Sequence, residues 1–414
     1  MSNTVGATLI VGGGIAGIQA SLDLADAGFK VYLLDESPSI GGTMAQLDKT
    51  FPTNDCSMCI LALKLVGAGR HPNIELITYA KLEHVEGEAG NFKVKIAKKP
   101  RFVDVTKCTG CGVCAQHCPV EMPNEYDEKL GVRKAIYVPF PQAVPLKYVI
   151  DDDNCLKCGL CKQVCKAGAV DYDQKPETLD LNVGAIILSP GFEEFNPRLK
   201  SMYGYGRLPN VVSSIEFERI LSASGPNGGR ILRPSDGTIP KKIAFIQCVG
   251  SRDTLVGNSY CSSACCMYAI KESVIAMEHQ KGVNCTIFFM DMRAFGKEFD
   301  AYYNRAADEY GVKFVLNPYD EFAVEEALRQ RRHHQAADGR RSGALAEDRD
   351  TIRAPAEAGD VVGDLVVDEA DLGVRQAVDA ALEPVEVEHP RIQDLPPAEG
   401  QELTSQGGRP LPAP

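Results

Sequence analysis

Apolar and polar positions along the first hundred residues recur at the spacings of strands and helices. Ala7–Val11 reads Ala-Thr-Leu-Ile-Val, a short apolar run of the kind that forms a buried strand. A helix is expected from about Ile15 to Ala27, stopped by Gly28, and a second strand over Lys30–Leu34, ending at Asp35-Glu36. Residues 74–98 alternate, as in Ile74-Glu75-Leu76 and Phe92-Lys93-Val94-Lys95-Ile96, which predicts strands with a turn at Gly87–Asn91. Pro100 marks a boundary. Past it, strand-like leads at Phe102–Val105 and Tyr148–Ile150 each precede a run of cysteines, so residues 101–173 read as an internal repeat. A second strand–helix pattern starts at Lys242-Ile243-Ala244-Phe245-Ile246-Gln247 and continues through a strand Thr286–Met290 and a helix Glu298–Tyr310.

The pattern then fails. Ala323–Pro414 contains no Phe, Tyr, Trp, Cys, Met, Asn or Lys. Such a segment cannot easily complete a packed core. It reads either as a disordered acidic tail or as an out-of-frame translation of GC-rich DNA, because Lys, Asn, Phe and Tyr use AT-rich codons. The second reading is preferred here.

The cysteines change the picture most. There are 15, all between Cys56 and Cys285. Residues 108–118 read Cys108-x2-Cys111-x2-Cys114-x3-Cys118-Pro119, and residues 155–165 repeat the spacing with Cys155, Cys158, Cys161 and Cys165. This is the spacing of a two-cluster ferredoxin, in which the fourth cysteine of each run ligates the other cluster. Cluster one is therefore expected on Cys108, Cys111, Cys114 and Cys165, and cluster two on Cys155, Cys158, Cys161 and Cys118. Gly110, Gly112 and Gly159 let the backbone approach the sulfides. Two zinc knuckles are the plainer alternative, but zinc sites do not need four cysteines so close together.

Directly after the first strand stands Gly12-x-Gly14-x-x-Gly17, and Asp35 follows 18 residues beyond Gly17. In a strand–turn–helix setting this is a dinucleotide-binding loop: a tight turn, a close pyrophosphate approach to a helix N-terminus, and close helix–strand packing. A third set, Cys248-x12-Cys261-x3-Cys265-Cys266, occupies the loop where a second glycine motif would be expected. Four such thiols read as cluster or zinc ligands. Cys56-x2-Cys59 is open between a redox-active dithiol, ligands of an additional cluster shared with a partner, and a buried pair of small thiols.

Bulk properties bound the rest. The 414 residues suggest two or three domains. A net charge of −12 argues against a nucleic-acid partner or an anionic membrane surface. The run Ala7–Val11 is far short of the ~20 residues that span a bilayer. An odd number of cysteines clustered as C-x-x-C indicates metal ligation in a reducing cytoplasm rather than a disulfide scaffold.

Ser39-Ile40-Gly41-Gly42 resembles the flavin-proximal segment of two-dinucleotide flavoproteins, and Asn182–Gly191 resembles their return strand, with Ser189-Pro190-Gly191 in place of the usual Ala-Thr-Gly. That resemblance favours FAD, held by Gly12, Gly14, Gly17, Asp35, Glu36, Gly41, Gly42 and Gly191. With Thr50-Phe51-Pro52-Thr53-Asn54-Asp55-Cys56-Ser57-x-Cys59 and the third cysteine set, residues 5–318 resemble the A-type subunit of heterodisulfide reductase. The resemblance implies a thioredoxin-reductase-like α/β fold of two Rossmann domains with an inserted 2[4Fe-4S] ferredoxin module. It also implies a third [4Fe-4S] cluster beside the flavin at Cys248, Cys261, Cys265 and Cys266.

The expected domains are 1–100 and 174–237 for the flavin, 101–173 for the insert, 238–322 for the second Rossmann-like domain, and the tail from 323. The implied partners are B- and C-type reductase subunits, a hydrogenase or formate dehydrogenase module and ferredoxin, with FAD the place where an electron pair divides if bifurcation occurs. Many archaeal members carry a cluster domain ahead of the glycine motif, and members have a closing FAD segment. Here the chain starts at the motif and the anomalous tail replaces that segment, so the chain is expected to hold FAD weakly. Two other readings remain: a self-contained pyridine-nucleotide disulfide reductase using Cys56 and Cys59, and a non-catalytic ferredoxin-like wire.

Overall fold

The computed structural model describes residues 4–316 and the strand Leu365–Asp368. Four parallel strands form the first sheet, in the order Ala185–Leu188, Ala7–Val11, Lys30–Asp35 and Ile74–Thr78. Period-two alternation splits its side chains between two cores. Ile10 and Leu33 face the helices Ile15–Asp26 and Ser57–Arg70, where they meet Ile18, Leu61 and Leu65. Leu9 and Leu34 face the other way, onto Val94, Ile96 and Val183 of an antiparallel three-stranded sheet. That sheet runs in the order Glu177–Val183, Asn91–Lys98 and Ala80–Glu88.

The second sheet fixes where the ferredoxin-like segment leaves the flavin fold. Glu177 pairs with Lys98 at the end of an antiparallel ladder. The chain thus departs after Lys98 and returns beside its point of departure, so the segment between them adds a lobe without breaking the sheet. Arg101, 4% exposed, pins its first turn by donating to the carbonyl of Pro38 and to Thr78 Oγ1 (2.8 Å). The lobe has its own core of Val103, Ile136, Ile150, Ala169 and Val170 around Cys108 and Cys161.

One expected strand is missing. Phe102–Val105 contributes a single bridge, Val103 to Val170. Asp104 accepts from the N–H (2.9 Å) and hydroxyl (2.6 Å) of Thr106, so a local side-chain turn competes with the ladder. The other lead forms: Val149–Ile150 pairs with Ile136–Tyr137.

A third sheet builds the second Rossmann-like unit. Lys242–Ile246, Asn284–Phe289 and Lys313–Leu316 run parallel. Helices Cys265–His279 and Phe299–Asp308 contribute Ile270, Val274, Ile275, Tyr302 and Ala306 to its core. Strand Val211–Ser213 and helix Ser214–Leu221 also belong to this layer, through Val212, Phe217, Ile220 and Leu221. Ser213 caps the helix in a reciprocal box with Glu216, which redirects the chain there. Leu365–Asp368 inserts antiparallel between Val211–Ser213 and Lys242–Ile246, so this part of the anomalous tail forms a strand; the rest of the tail lies outside the described residues. No helix among the described residues is long and apolar enough to cross a membrane.

Candidate flavin and iron–sulfur centres

The glycine loop is built by contacts that exclude a side chain. A Cβ on Gly12 (φ +107°) would lie 2.0 Å from the Ser189 carbonyl oxygen, and one on Gly17 would lie 1.9 Å from that of Gly12. Both positions are closed. Gly14 differs: a Cβ there would meet nothing within 4 Å, and open space lies before the helix it precedes. That helix has no side-chain cap and no acidic residue in its first turn. Its free N–H groups and positive dipole end can therefore receive an anion. The residues fit the pyrophosphate of a dinucleotide.

Gly41 and Gly42 stack on this loop. Gly41 N–H donates to the Gly13 carbonyl (2.7 Å), and a Cβ on Gly42 (φ +58°) would fall 2.9 Å from Gly14 Cα. Asp35 accepts from Gly13 N–H (2.6 Å) and Ser37 N–H (2.7 Å); burial raises its carboxyl above the usual range. Glu36 beside it is exposed. Gly191 (φ +75°) ends the return segment, two residues beyond Ser189. Phe140, from the inserted lobe, approaches the same loop, with its ring 3.0 Å from where a Gly41 Cβ would stand. Ile40 N–H donates to Val144 of that lobe (2.9 Å).

Within the lobe, short helices Val113–Gln116 and Leu160–Val164 follow Gly112 (φ +83°) and Gly159 (φ +77°) in left-handed caps. Cys118 crosses from its own run to line a small open cavity with Cys155, Cys158 and Cys161. Ile136, Ile150 and Leu160 supply the apolar wall. In the other half, burial, and to a lesser extent the neighbouring thiols of Cys108 and Cys111, push the Cys114 thiol up to about 12. Backbone amides aim at the sulfurs: Lys157 N–H at Cys155 (3.4 Å) and Ala169 N–H at Cys165 (3.4 Å). Such N–H···S contacts tune cluster potentials. Among the described residues, no three His, Cys, Asp or Glu side chains converge closely enough to hold a metal ion.

The third set sits on the loop after Lys242–Ile246. Cys248 (φ +63°), Cys265 and Cys266 are buried together against Tyr268, Met290 and Met292. Hydrogen bonding from Cys248, then Cys266, holds the Cys265 thiol far below its usual range. Cys261 is half-buried and accepts from Ser263 N–H (3.3 Å). Arg293 links the set, its N–H on Cys266 (3.3 Å) and its guanidinium against Cys261. Gly250 presses on the Phe195 ring, four residues beyond Gly191 in the chain.

Cys56 and Cys59 are joined in a disulfide, and both are exposed. The buried-thiol reading is thereby corrected: helix Ser57–Arg70 turns Ser57, Leu61 and Leu65 inward and leaves both sulfurs outside. Cys285 is buried alone, and burial pushes its thiol up to about 12.

Sequence reasoning missed a buried polar junction. Arg219, fully buried, donates to Asp127 Oδ1 (3.1 Å) in the lobe and to the Gln46 carbonyl (2.8 Å) in the flavin loop, and lies 4.3 Å above the Tyr126 ring. Beside it, Lys271 pairs with Glu218 and donates to the Lys49 carbonyl (2.9 Å). Asp48 N–H donates to Glu218 Oε2 (2.9 Å), and Ser214 Oγ to Glu272 Oε1 (2.6 Å). One signal was available: Lys271-Glu272 interrupts the apolar run Ala269-Ile270…Val274-Ile275 on a buried helix.

Burial, with the Glu218 carboxylate next to it, raises the Glu272 carboxyl well above its ordinary value. Its folded-state pKa thus exceeds the unfolded one, so the stability it contributes is present below the unfolded value and lost as pH rises through the folded one. Glu272→Gln keeps the hydrogen-bonding shape and is expected to flatten that loss with rising pH, as thermal unfolding across pH would record. An unchanged pH slope would count against a protonated Glu272.

Residues 107–170 match a 4Fe-4S dicluster domain, and residues 8–55 match an FAD dependent oxidoreductase domain. The A-type subunit of the H(2):CoB-CoM heterodisulfide,ferredoxin reductase of Methanothermobacter marburgensis is 55% identical over 307 residues, 74% of this chain and 47% of that protein. The A-type iron-sulfur subunit of the CoB–CoM heterodisulfide reductase of Methanocaldococcus jannaschii is 57% identical over 307 residues, with the same coverage of 74% and 47%. A thioredoxin reductase structure from T. acidophilum is similar at 12% identity, with a TM-score of 0.33, over 76% of this chain and 65% of that one. The chain spans about half the length of the curated relatives it matches. Over 74% of its length the chain is thus a homologue of proteins named as heterodisulfide reductase A-type subunits.

Proposed function

We propose that the chain is the FAD and iron–sulfur subunit of a heterodisulfide reductase-type complex, distributing electrons among protein partners. The loop after Lys242–Ile246 carries this reading. Where a second dinucleotide site would need glycines, Cys248, Cys265 and Cys266 are buried instead. Electrons then enter and leave through protein-borne centres, not through a pyridine nucleotide.

Gly12, Gly14, Gly17, Gly41, Gly42 and Gly191 would hold FAD, with Asp35 and Glu36 toward its ribose. Cys248, Cys261, Cys265 and Cys266 would hold one [4Fe-4S] cluster, and the two runs in the lobe would hold two more. When bound, FAD supplies exchange between two-electron and one-electron chemistry, and the clusters supply one-electron steps. The protein's part is to position these sites: Phe140 seats the lobe on the flavin loop, and Gly250 packs the third cysteine loop against Phe195. The reading extends to flavin-based bifurcation. Its donor would be a hydrogenase or formate dehydrogenase module. Its acceptors would be ferredoxin and a disulfide-reducing partner reached through B- and C-type subunits, in the cytoplasm.

NADPH or NADH added to the anaerobic protein with excess oxidised glutathione as the disulfide acceptor is expected to give no steady oxidation above the blank. Sustained oxidation would favour a self-contained pyridine-nucleotide disulfide reductase.

A further inference from the structure

We propose that Cys56 and Cys59 form an accessible thiol–disulfide exchange site that takes electrons from a dithiol, a redox centre separate from the flavin and the cysteine runs. Theirs is the one disulfide among the described residues, and both halves are exposed. The Cα atoms are 5.2 Å apart, within the range a disulfide bridges without backbone movement. The bridge spans a sequence separation of 3, too short a loop for it to serve mainly as a structural staple. Exposed disulfides of this kind are the labile or catalytic ones.

The setting distinguishes the two sulfurs. Cys56 is the N-cap of a 14-residue helix, and its Sγ accepts the Cys59 N–H at 3.1 Å. The first turn of that helix holds no acidic residue. The helix end therefore favours negative charge on Cys56. The loop that presents the pair is fixed at its base: the Phe51 ring lies 4.8 Å from those of Phe299 and Tyr302, and Tyr302 Oη donates to Asn54 Oδ1 (2.8 Å). The disulfide is thus held outward on a rigid platform.

The exchange balances with the dithiol alone. One substrate thiolate attacks Cys59 Sγ, the Cys56–Cys59 bond breaks, and its electron pair leaves on Cys56. The second substrate thiolate then attacks the substrate sulfur of the mixed disulfide and releases Cys59. Each cysteine takes up one of the two protons given up by the dithiol. The dithiol ends as a disulfide and the protein pair as two thiols. Neither flavin nor pyridine nucleotide takes part, so this inference stands apart from the electron-distribution reading.

The test equilibrates the full chain anaerobically in glutathione buffers of varied ratio, alkylates it, and reads the Cys56 and Cys59 peptides by mass spectrometry. Both are expected to pass from unlabelled to labelled together in one two-electron transition. With Cys59→Ser, Cys56 should form a mixed disulfide with oxidised glutathione; with Cys56→Ser, Cys59 should do so about tenfold more slowly. Iron and flavin content should not change in either variant. Labelling of both cysteines at every glutathione ratio would overturn the proposal. So would a loss of iron in either variant, which would make the pair cluster ligands.

Discussion

Replacing Lys271 by methionine is expected to destabilise the protein by about 3–5 kcal/mol, the usual cost of removing one partner from a buried ion pair. Lys271 and Glu218 are 2% and 1% exposed. Methionine keeps the length of the stem but leaves Glu218 without its ammonium partner in a buried site. It also frees the Lys49 carbonyl that Lys271 holds. Because Asp48 N–H rests on the same carboxylate, the loss should spread to the flavin loop. Urea unfolding of the single variant, and of Lys271→Met combined with Glu218→Gln, separates the causes. The double variant should recover most of the loss, because no uncompensated charge remains. A single variant within about 1 kcal/mol of the parent would mean that the pair is hydrated in solution.

The second large effect is expected in the glycine loop, where two neighbouring substitutions should part company. Gly17→Ala places a Cβ 1.9 Å from the Gly12 carbonyl oxygen, and that oxygen is backbone and cannot rotate away. Helix Ile15–Asp26 must lift from its strand, at a cost of about 1–3 kcal/mol, and flavin binding should be lost with the loop geometry. Gly14→Ala meets nothing within 4 Å and has an ordinary extended backbone (φ −74°). Its stability should match the parent, while FAD binding weakens on the order of tenfold as the methyl occupies the anion's approach. Thermal unfolding and flavin titration of both variants check the pair. Equal FAD affinity in Gly14→Ala and parent would remove the assignment of that open space to a pyrophosphate.

Much of this architecture was legible in local pattern. Leu9-Ile10 and Leu33-Leu34 alternate between two cores because a strand has period two, and the sequence displays that alternation directly. The glycine loop is readable because each of its positions has a steric reason. The cysteine runs are readable because a cubane imposes its spacing on the chain.

What escaped is long-range or locally ambiguous. Val211–Ser213 is too short to carry a period, and the layer it joins is decided by helix Ser214–Leu221 packing on residues far downstream, such as Phe245 and Ile287. Phe102–Val105 looks strand-like until the Asp104 side chain closes a turn. Arg219 reads as a surface residue of an amphipathic helix, since its partners Asp127 and Gln46 lie 92 and 173 residues away. The exposure of Cys56 and Cys59 depends on which face of helix Ser57–Arg70 is buried, and that helix is apolar on more than one face.

The central claim of the proposed function is that one chain carries a flavin and three cubane clusters. Anaerobic purification followed by iron and acid-labile sulfide determination, with FAD titrated into the same sample, tests it most directly. Three four-iron clusters predict about 12 iron atoms per chain, with one FAD bound at saturation. About 8 iron atoms would contradict the cluster assigned to Cys248, Cys261, Cys265 and Cys266, and with it the reading that this loop exchanges electrons in place of a pyridine nucleotide.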